Sequence, residues 1–111
     1  MKTRHLSLKD RNTYRSLEDV VGCKWSAGVV AALAAGVRRP GQLERYIPGI
    51  STKILNERLR KLCTYALVTR TEYPERLRRV EYRLTPTGRK LARVIRQLSE
   101  LQREHARRRG A

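Results

Sequence analysis

Cysteine and histidine are scarce in this chain of 111 residues, which has two of each. Cys23, Cys63, His5 and His105 show neither C-x-x-C nor H-x-x-x-H spacing, so we expect no metal site. The sequence also lacks paired carboxylates, a nucleophile–base set and a glycine-rich phosphate loop. Cys23 and His5 could in principle pair, but nothing in their spacing indicates it. We therefore expect a protein that is not an enzyme and uses no cofactor.

Long apolar runs are also missing. The most apolar run, residues 28–36, is rich in alanine and much shorter than the roughly 20 residues that span a bilayer. Residues 1–5 are basic, but no apolar stretch follows them, which does not fit a secretory signal. These features predict a cytoplasmic protein without a membrane partner.

Acidic residues are few relative to basic ones. The chain has 10 Asp and Glu against 26 Lys and Arg, giving a formal net charge of +16 and a pI of about 11.2. Residues 51–111 hold 17 of the basic residues and 6 of the acidic ones, so the excess is larger in the second half. This charge predicts a polyanionic partner, nucleic acid first and an acidic membrane surface second. A merely soluble basic protein is the plainer alternative.

Residues 48–62 predict a tight turn followed by a helix with two different faces. Gly49 can bend the chain at little steric cost, and Ser51 is a good N-cap. One face carries Leu55, Leu59 and Leu62. The opposite face carries Lys53, Asn56, Glu57 and Arg60. These side-chain types hydrogen-bond base edges and phosphates in a major groove, so we interpret the stretch as a recognition helix. An ordinary amphipathic surface helix is the alternative for this stretch taken alone.

The residues before this stretch predict three shorter helices. Residues 1–14 are polar and basic and are interpreted as a flexible arm or a short frayed helix. We expect Ser16 to cap a first helix that ends near Gly22. Residues 26–35 are expected to form a second, buried helix that Gly36 ends, and residues 42–46 a third. The third helix, the turn and the recognition helix together predict a helix-turn-helix.

A basic connector separates the second and third predicted helices. Pro40 resists continuation of a helix. Arg38 and Arg39 precede it, where their side chains can reach phosphates.

The apolar period changes after the recognition helix. Residues 67–73 and 79–85 predict two strands, and the second alternates apolar with charged side chains. Arg76 and Arg78 lie in the connection between them, and Arg79 opens the second strand. A hairpin directly after a helix-turn-helix is a wing. Arginines on a wing commonly enter the adjacent minor groove, where the potential is most negative.

A long helix is predicted at the C-terminus. Thr85 can cap it, and Pro86 suits the first helical turn. An apolar stripe follows, made of Leu91, Val94 or Ile95, Leu98 and Leu101. A helix that outruns a small globular body needs a partner to bury such a stripe, so we expect a homodimer that also uses Leu17 of the first helix. The alternative is that the stripe folds back on the first helix of its own chain.

Several stretches together resemble one family. VGCKW at residues 21–25 resembles the IGGKW that opens the second helix of HxlR-type winged helix-turn-helix transcriptional regulators. Residues 48–62 resemble their PGIS…L..RLR.L motif, and residues 67–85 resemble their wing, LV…YPE…RVEYSLT. Gly88 follows as in their LT..G. The resemblance covers roughly residues 15–100.

The resemblance implies a dimeric bacterial or archaeal regulator that binds operator DNA through a dimer built by its N-terminal and C-terminal helices. Many members sense reactive small molecules through a cysteine about thirteen residues before the tryptophan, where this chain has Asn12. Cys23 and Cys63 are interpreted as ordinary core or half-buried residues. A redox-sensing role for either stays open, because a helix start and a neighbouring cation would lower the pKa of the Cys23 thiol.

These patterns predict a mainly α-helical fold with one small β-hairpin. The expected parts are a basic arm (1–14), a winged helix-turn-helix domain (15–85) and a dimerisation helix with a basic tail (86–111). The predicted function is sequence-specific binding of double-stranded DNA by a homodimer at an inverted repeat, with repression expected, at the nucleoid of a prokaryote. A small-molecule or redox effector is left open.

The alternative function is a non-specific basic winged-helix protein associated with chromatin or RNA.

Glu57 is expected to accept a hydrogen bond from cytosine N4, or to orient Arg60 or Lys61. The predicted DNA contacts are Arg38, Arg39, Ser51, Thr52, Lys53, Asn56, Glu57, Arg60, Arg76, Arg78 and Arg79.

Overall fold

The computed structural model describes residues 8–74, 76 and 78–110. In chain order its elements are α1 (Leu8–Val21), α2 (Lys24–Ala34), α3 (Pro40–Tyr46), α4 (Thr52–Thr64), β1 (Val68–Tyr73), β2 (Arg79–Leu84) and α5 (Pro86–Gly110). The two strands form an antiparallel hairpin in which Val68 pairs with Leu84 and Tyr73 with Arg79. This confirms the predicted winged helix-turn-helix fold. Residues 1–7 of the predicted arm, and Glu75 and Leu77 in the wing, lie outside the described residues.

Helix α2 lies at the centre of the fold because its side chains are small and apolar. It contacts α1, α3, α4, α5 and β2. Val29, Val30 and Ala32 are completely buried there. The helix ends at Ala34, one residue before the predicted end, and Gly36, the residue predicted to terminate it, has a φ of +94°. The Val37 N–H then donates 3.1 Å to the Ala32 carbonyl, the bond that closes a Schellman motif.

Three helices begin earlier than the sequence predicts, among them α2, which starts at Lys24 rather than at residue 26. Helix α1 starts at Leu8, so Ser16 lies inside it and the predicted cap at Ser16 is wrong. No proline or glycine interrupts residues 8–21, and polar residues continue a helix at little cost. Helix α3 starts at Pro40 rather than at residue 42. Proline suits that first turn because its missing N–H needs no partner there.

Helix α4 is fixed to the core by one face. Its three leucines, Leu55, Leu59 and Leu62, are buried as predicted. The Ser51 hydroxyl oxygen accepts a hydrogen bond of 3.1 Å from the Ile54 N–H, which confirms the predicted N-cap. Gly49 has a φ of +82°, and a Cβ there would lie 3.7 Å from the Trp25 ring. The turn before α4 therefore packs directly on the aromatic ring that opens α2.

Thr85 connects the end of α4 to the start of α5. Its Oγ1 accepts a hydrogen bond of 3.0 Å from the Gly88 N–H, which confirms the predicted cap, and donates one of 2.9 Å to the Ala66 carbonyl. A Cβ at Gly88 would lie 2.1 Å from the Leu67 carbonyl oxygen, so only glycine fits there without a shift. Helix α5 therefore leaves the hairpin in a fixed direction.

The fold buries one part of the predicted dimer stripe on α5 and leaves the other part exposed. Leu91 and Ile95 are buried in the protomer's own core, where α5 contacts α2, and Leu17 also packs on that core. Leu91 and Ile95 therefore pack within the chain and not, as expected, against a second subunit. Leu17 is only partly buried, so its part in a dimer stays a prediction. Val94, Leu98 and Leu101 are 50%, 45% and 59% exposed. Every residue from 96 to 110 is exposed, so more than half of α5 has no cover within the protomer.

Candidate nucleic-acid interface

The polar face of α4 points to solvent. Lys53, Asn56, Glu57 and Arg60 are all exposed, and the leucines on the opposite face are buried. Burial of one face of a helix holds the other face in a fixed orientation. The structure thus presents a cation, an amide, a carboxylate and a guanidinium together, as groups suited to base edges in a major groove. Whether they contact DNA stays a prediction.

An acidic residue faces the N-terminus of α4. The Thr52 hydroxyl donates a hydrogen bond to the Glu44 carboxylate of α3. Thr52 is therefore already engaged, and Glu44 brings a negative charge to the place where a phosphate contact is predicted. The Ser51 hydroxyl uses its oxygen as an acceptor and keeps its hydrogen for a further acceptor. Of the two predicted phosphate contacts, Ser51 is the better placed.

The arginines of the wing differ in solvent exposure and in their contacts with the hairpin. Arg76 is exposed, and the Arg78 side chain is 87% exposed, with its Nε 4.0 Å from the Glu72 carboxylate. Arg79 is only 30% exposed, because its guanidinium lies 4.4 Å from the centre of the Tyr73 ring. Its Nε is also 3.4 Å from Glu81 Oε2. Arg76 and Arg78 thus extend into solvent, whereas Arg79 is held against the hairpin.

Arg38 lies beside the base of the wing. Its carbonyl accepts a hydrogen bond of 2.8 Å from the Tyr82 N–H of β2, so the connector before α3 lies along the outer edge of the hairpin. Both Arg38 and Arg39 are exposed, and Arg39 is the N-cap residue of α3. The backbone bond places the Arg38 side chain next to the wing, a position that the sequence did not indicate.

The C-terminal end of α4 is joined to α1 by a cluster that the sequence analysis missed. Asp19 Oδ2 accepts a hydrogen bond of 2.7 Å from the Tyr65 hydroxyl and lies 2.9 Å from Lys61 Nζ. The Tyr65 hydrogen bond and then the Lys61 contact lower the pKa of Asp19, while Asp19 raises the pKa of both partners. Since the Lys61 amine pairs with Asp19, the idea that Glu57 orients Lys61 gains no support.

The two cysteines are free and half-buried. Burial acts to raise the pKa of the Cys23 thiol, but the hydrogen-bonding groups of Ser26 and the N–H of Trp25 outweigh it and lower the pKa. Cys23 is the N-cap residue of α2, although its side chain makes no capping hydrogen bond. Burial raises the pKa of the Cys63 thiol. The thiolate is therefore favoured at Cys23 and disfavoured at Cys63.

Comparison with known proteins assigns this arrangement to a family. The model of the HxlR-like helix-turn-helix family matches residues 20–109, most of the chain. The chain belongs to the HxlR-like helix-turn-helix family. Its fold is that of a winged helix-turn-helix transcription regulator. Among the described residues of this HxlR-like protein, no helix is long and apolar enough to cross a membrane.

Similar proteins are named as regulators too. An uncharacterized HTH-type transcriptional regulator of Synechocystis sp. is 47% identical over 69% of this chain, which corresponds to 57% of that protein's length. A structure described as a MarR-family transcriptional regulator from Enterococcus faecalis is 27% identical, with a TM-score of 0.77. The similarity covers 97% of this chain and 98% of the Enterococcus faecalis chain. The reduced form of YodB, a transcriptional regulator from B. subtilis, is 29% identical with a TM-score of 0.69, covering 86% and 90% of the two chains.

Proposed function

We propose that this HxlR-like protein binds operator DNA in a sequence-specific manner as a homodimer and represses transcription from a prokaryotic chromosome. The observation that carries the proposal is the exposed polar face of α4, presented by a helix whose leucine face is buried in the core. In this proposal Lys53, Asn56 and Arg60 read base edges, and Ser51 binds a phosphate. Arg76, Arg78 and Arg38 add backbone or minor-groove contacts, which supply affinity rather than sequence preference.

The dimer part of the proposal rests on the exposed apolar residues of α5. Val94, Leu98 and Leu101 fall at i, i+4 and i+7 and share one face of a helix segment that nothing covers within the protomer. A two-fold dimer of this kind places two copies of α4 about one DNA turn apart, so the operator should be an inverted repeat.

Sedimentation velocity at micromolar concentration tests the dimer. We expect the wild-type chain to sediment as a dimer and Leu98→Gln to shift it toward monomer, since a buried leucine contributes roughly 2 kcal/mol on each side of an interface. Ser99→Ala, a change at the next exposed position, which faces away from Val94 and Leu101, should leave the dimer intact. A monomeric wild-type chain would remove the two-fold mechanism.

Specific binding is tested by comparing two DNA duplexes of equal length. Fluorescence anisotropy at about 150 mM salt should give a Kd for the DNA upstream of the protein's own gene at least tenfold below that for random duplex. Equal affinity for both would favour the alternative, a non-specific basic winged-helix protein, which the net charge of +16 also fits. Repression is then measured by transcription in vitro, because a dimer on the promoter blocks polymerase without further contacts.

We further propose that Cys23 is a redox-sensitive thiol. The lowered pKa of Cys23 supports it, and one of the similar structures is described as the oxidized form of the redox regulator HypR. Diamide with added glutathione should join Cys23 to glutathione in a mixed disulfide, with diamide taking up the two hydrogens of the two thiols, and should release the wild-type protein from DNA. Cys23→Ser should abolish that release. Cys63→Ser should respond like wild type, because burial raises the pKa of Cys63. Release from the Cys23→Ser variant would exclude this thiol as the sensor.

A further inference from the structure

An arginine-lined cleft of about 680 Å³ lies between the C-terminal end of α2, the end of β2 and α5. We call it the arginine cleft. Its arginines are Arg38, Arg83, Arg89, Arg93, Arg96 and Arg103. Its apolar lining includes Leu33, Ala92 and Ile95. The volume is within the range of sites that hold small molecules.

The charge of the arginine cleft is not balanced by the residues that line it. None of the lining residues in the described part of the chain is Asp or Glu. Arg83 pairs with Glu81 of its own strand at 3.2 Å, and Arg89 donates to the Leu84 carbonyl at 3.3 Å. The positively charged guanidinium groups repel one another. An anion bound among them reduces this repulsion and accepts their hydrogen bonds. The complementary occupant is therefore negatively charged.

The geometry of α5 keeps the arginine cleft apart from the proposed dimer surface. Successive helical residues are rotated by about 100°, so positions two apart face nearly opposite directions. Arg96 lines the cleft, and Val94 and Leu98 are each two positions from it. A dimer formed through Val94, Leu98 and Leu101 leaves the cleft open. A second copy of a chain with charge +16 is also a poor electrostatic match for it.

We propose that the arginine cleft binds a small organic anion. Its aromatic or aliphatic body lies on Leu33, Ala92 and Ile95, and its carboxylate, sulfonate or phosphate group contacts arginines such as Arg93 and Arg96. Arginine suits this role because its planar fork binds such oxyanions through two parallel hydrogen bonds. The inference does not rest on the proposed function, because binding to the cleft is measured without DNA.

The first experiment uses three probes to test separately whether binding requires an apolar body and whether it requires a negative charge. Isothermal titration with 2-naphthoate supplies an apolar body and a charge, naphthalene-2-methanol the body alone, and sulfate the charge alone. We expect 2-naphthoate to bind at least tenfold more tightly than either of the others. Equal binding of the neutral alcohol would remove the role of the arginines, and equal binding of sulfate would reduce the cleft to a general anion surface. Either result overturns the proposal.

The second experiment locates the bound probe. In amide chemical-shift mapping, 2-naphthoate should perturb Ala31, Ala92 and Ser99, which line the arginine cleft. Perturbation centred on Val94, Leu98 and Leu101 instead would place the probe on the apolar stripe and contradict the proposal. So would cleft shifts that depend on protein concentration without probe, because a second copy would then cover the cleft.

Matched arginine variants complete the test. Arg96→Gln and Arg93→Gln should each weaken 2-naphthoate binding roughly fivefold or more, since each removes a charge-assisted contact. Arg107→Gln removes the same charge from the same helix at a position that does not line the cleft, and it should not change affinity. All of these side chains are exposed, and thermal melts verify that each variant is folded. Equal losses in all variants would show that only net charge matters, and the site would be rejected.

Discussion

The Tyr65 hydroxyl and the Asp19 carboxylate, 46 positions apart in the chain, are joined by a hydrogen bond of 2.7 Å. This bond and the Lys61 contact hold the last turn of α4 against α1. Helix α4, whose polar face is proposed to contact DNA, is thus fixed at its N-terminal end by the Ser51 cap and at its C-terminal end by a carboxylate on another helix.

Asp19→Asn should weaken this connection. The amide keeps the shape but loses the charge that both partners favour, so at pH 7 we expect a melting temperature lower by roughly 2–5 °C. The pKa of Asp19 is lowered in the folded protein, so the contribution is complete above the ordinary carboxyl pKa and is lost as the pH falls through the folded value.

Thermal melts across pH check the direction. The difference between wild type and Asp19→Asn should shrink below about pH 4, where the unfolded carboxyl takes up its proton. Glu18→Gln, a neighbouring exposed carboxylate, is the control and should change little. A difference that grows on acidification would contradict the assigned role of Asp19.

Gly88→Ala should destabilise the fold strongly. Alanine is normally better than glycine inside a helix by about 1 kcal/mol. Here the added Cβ would lie 2.1 Å from the Leu67 carbonyl oxygen, a backbone atom that cannot rotate away. We expect urea unfolding to show a net loss of about 2–3 kcal/mol. Gly110→Ala has nothing within 4 Å of its Cβ and should be nearly neutral.

Ala66→Gly should stabilise the protein. Ala66 follows the end of α4 with a φ of +59°, the left-handed region that glycine adopts without strain. Relief of that strain, less the added freedom of the unfolded chain, should raise the free energy of unfolding by about 0.5–1 kcal/mol. Ala106→Gly, at an exposed position within α5, should change it in the opposite direction by a similar amount. Equal losses in both variants would show that the turn is not strained.

Arg60→Ala and Arg78→Ala should affect DNA binding differently. In the proposed interface Arg60 reads a base, so its loss should lower the preference for operator over random duplex by about 1–3 kcal/mol. Arg78 lies on the wing and should contact the backbone or minor groove, so its loss should weaken both complexes and flatten the salt dependence. Anisotropy titrations at several salt concentrations measure both effects. If Arg60→Ala keeps the full preference for operator over random duplex, Arg60 does not read a base.

Local patterns in the sequence predicted much of the fold. The leucines of α4, the caps at Ser51 and Thr85 and the alternation in β2 each depend on neighbours a few positions away. The start of α1 could not be predicted in this way, because a polar helix without a distinct cap carries no periodic signal. The burial of Leu91 and Ile95 depends on where α5 packs, and a heptad stripe alone does not distinguish the chain's own core from a partner.

The parts of the site that were missed come from distant segments. Glu44 meets Thr52 across the helix-turn-helix, and Asp19 meets Tyr65 across almost half of the chain. The arginine cleft combines side chains from the connector after α2, from β2 and from α5. In the sequence these arginines are indistinguishable from the general excess of positive charge. Only the packing of α5 on α2 shows which of them line one cleft.

The single hydroxyl of Thr85 has a mechanical consequence. It holds the turn after α4 and the first turn of α5 at the same atom, next to the close contact of Gly88 with Leu67. A tilt of α5 must therefore either carry the end of α4 with it or break that joint. In the proposed dimer, a shift of the paired α5 helices would therefore change the distance between the two copies of α4, unless the hydrogen bonds of Thr85 break.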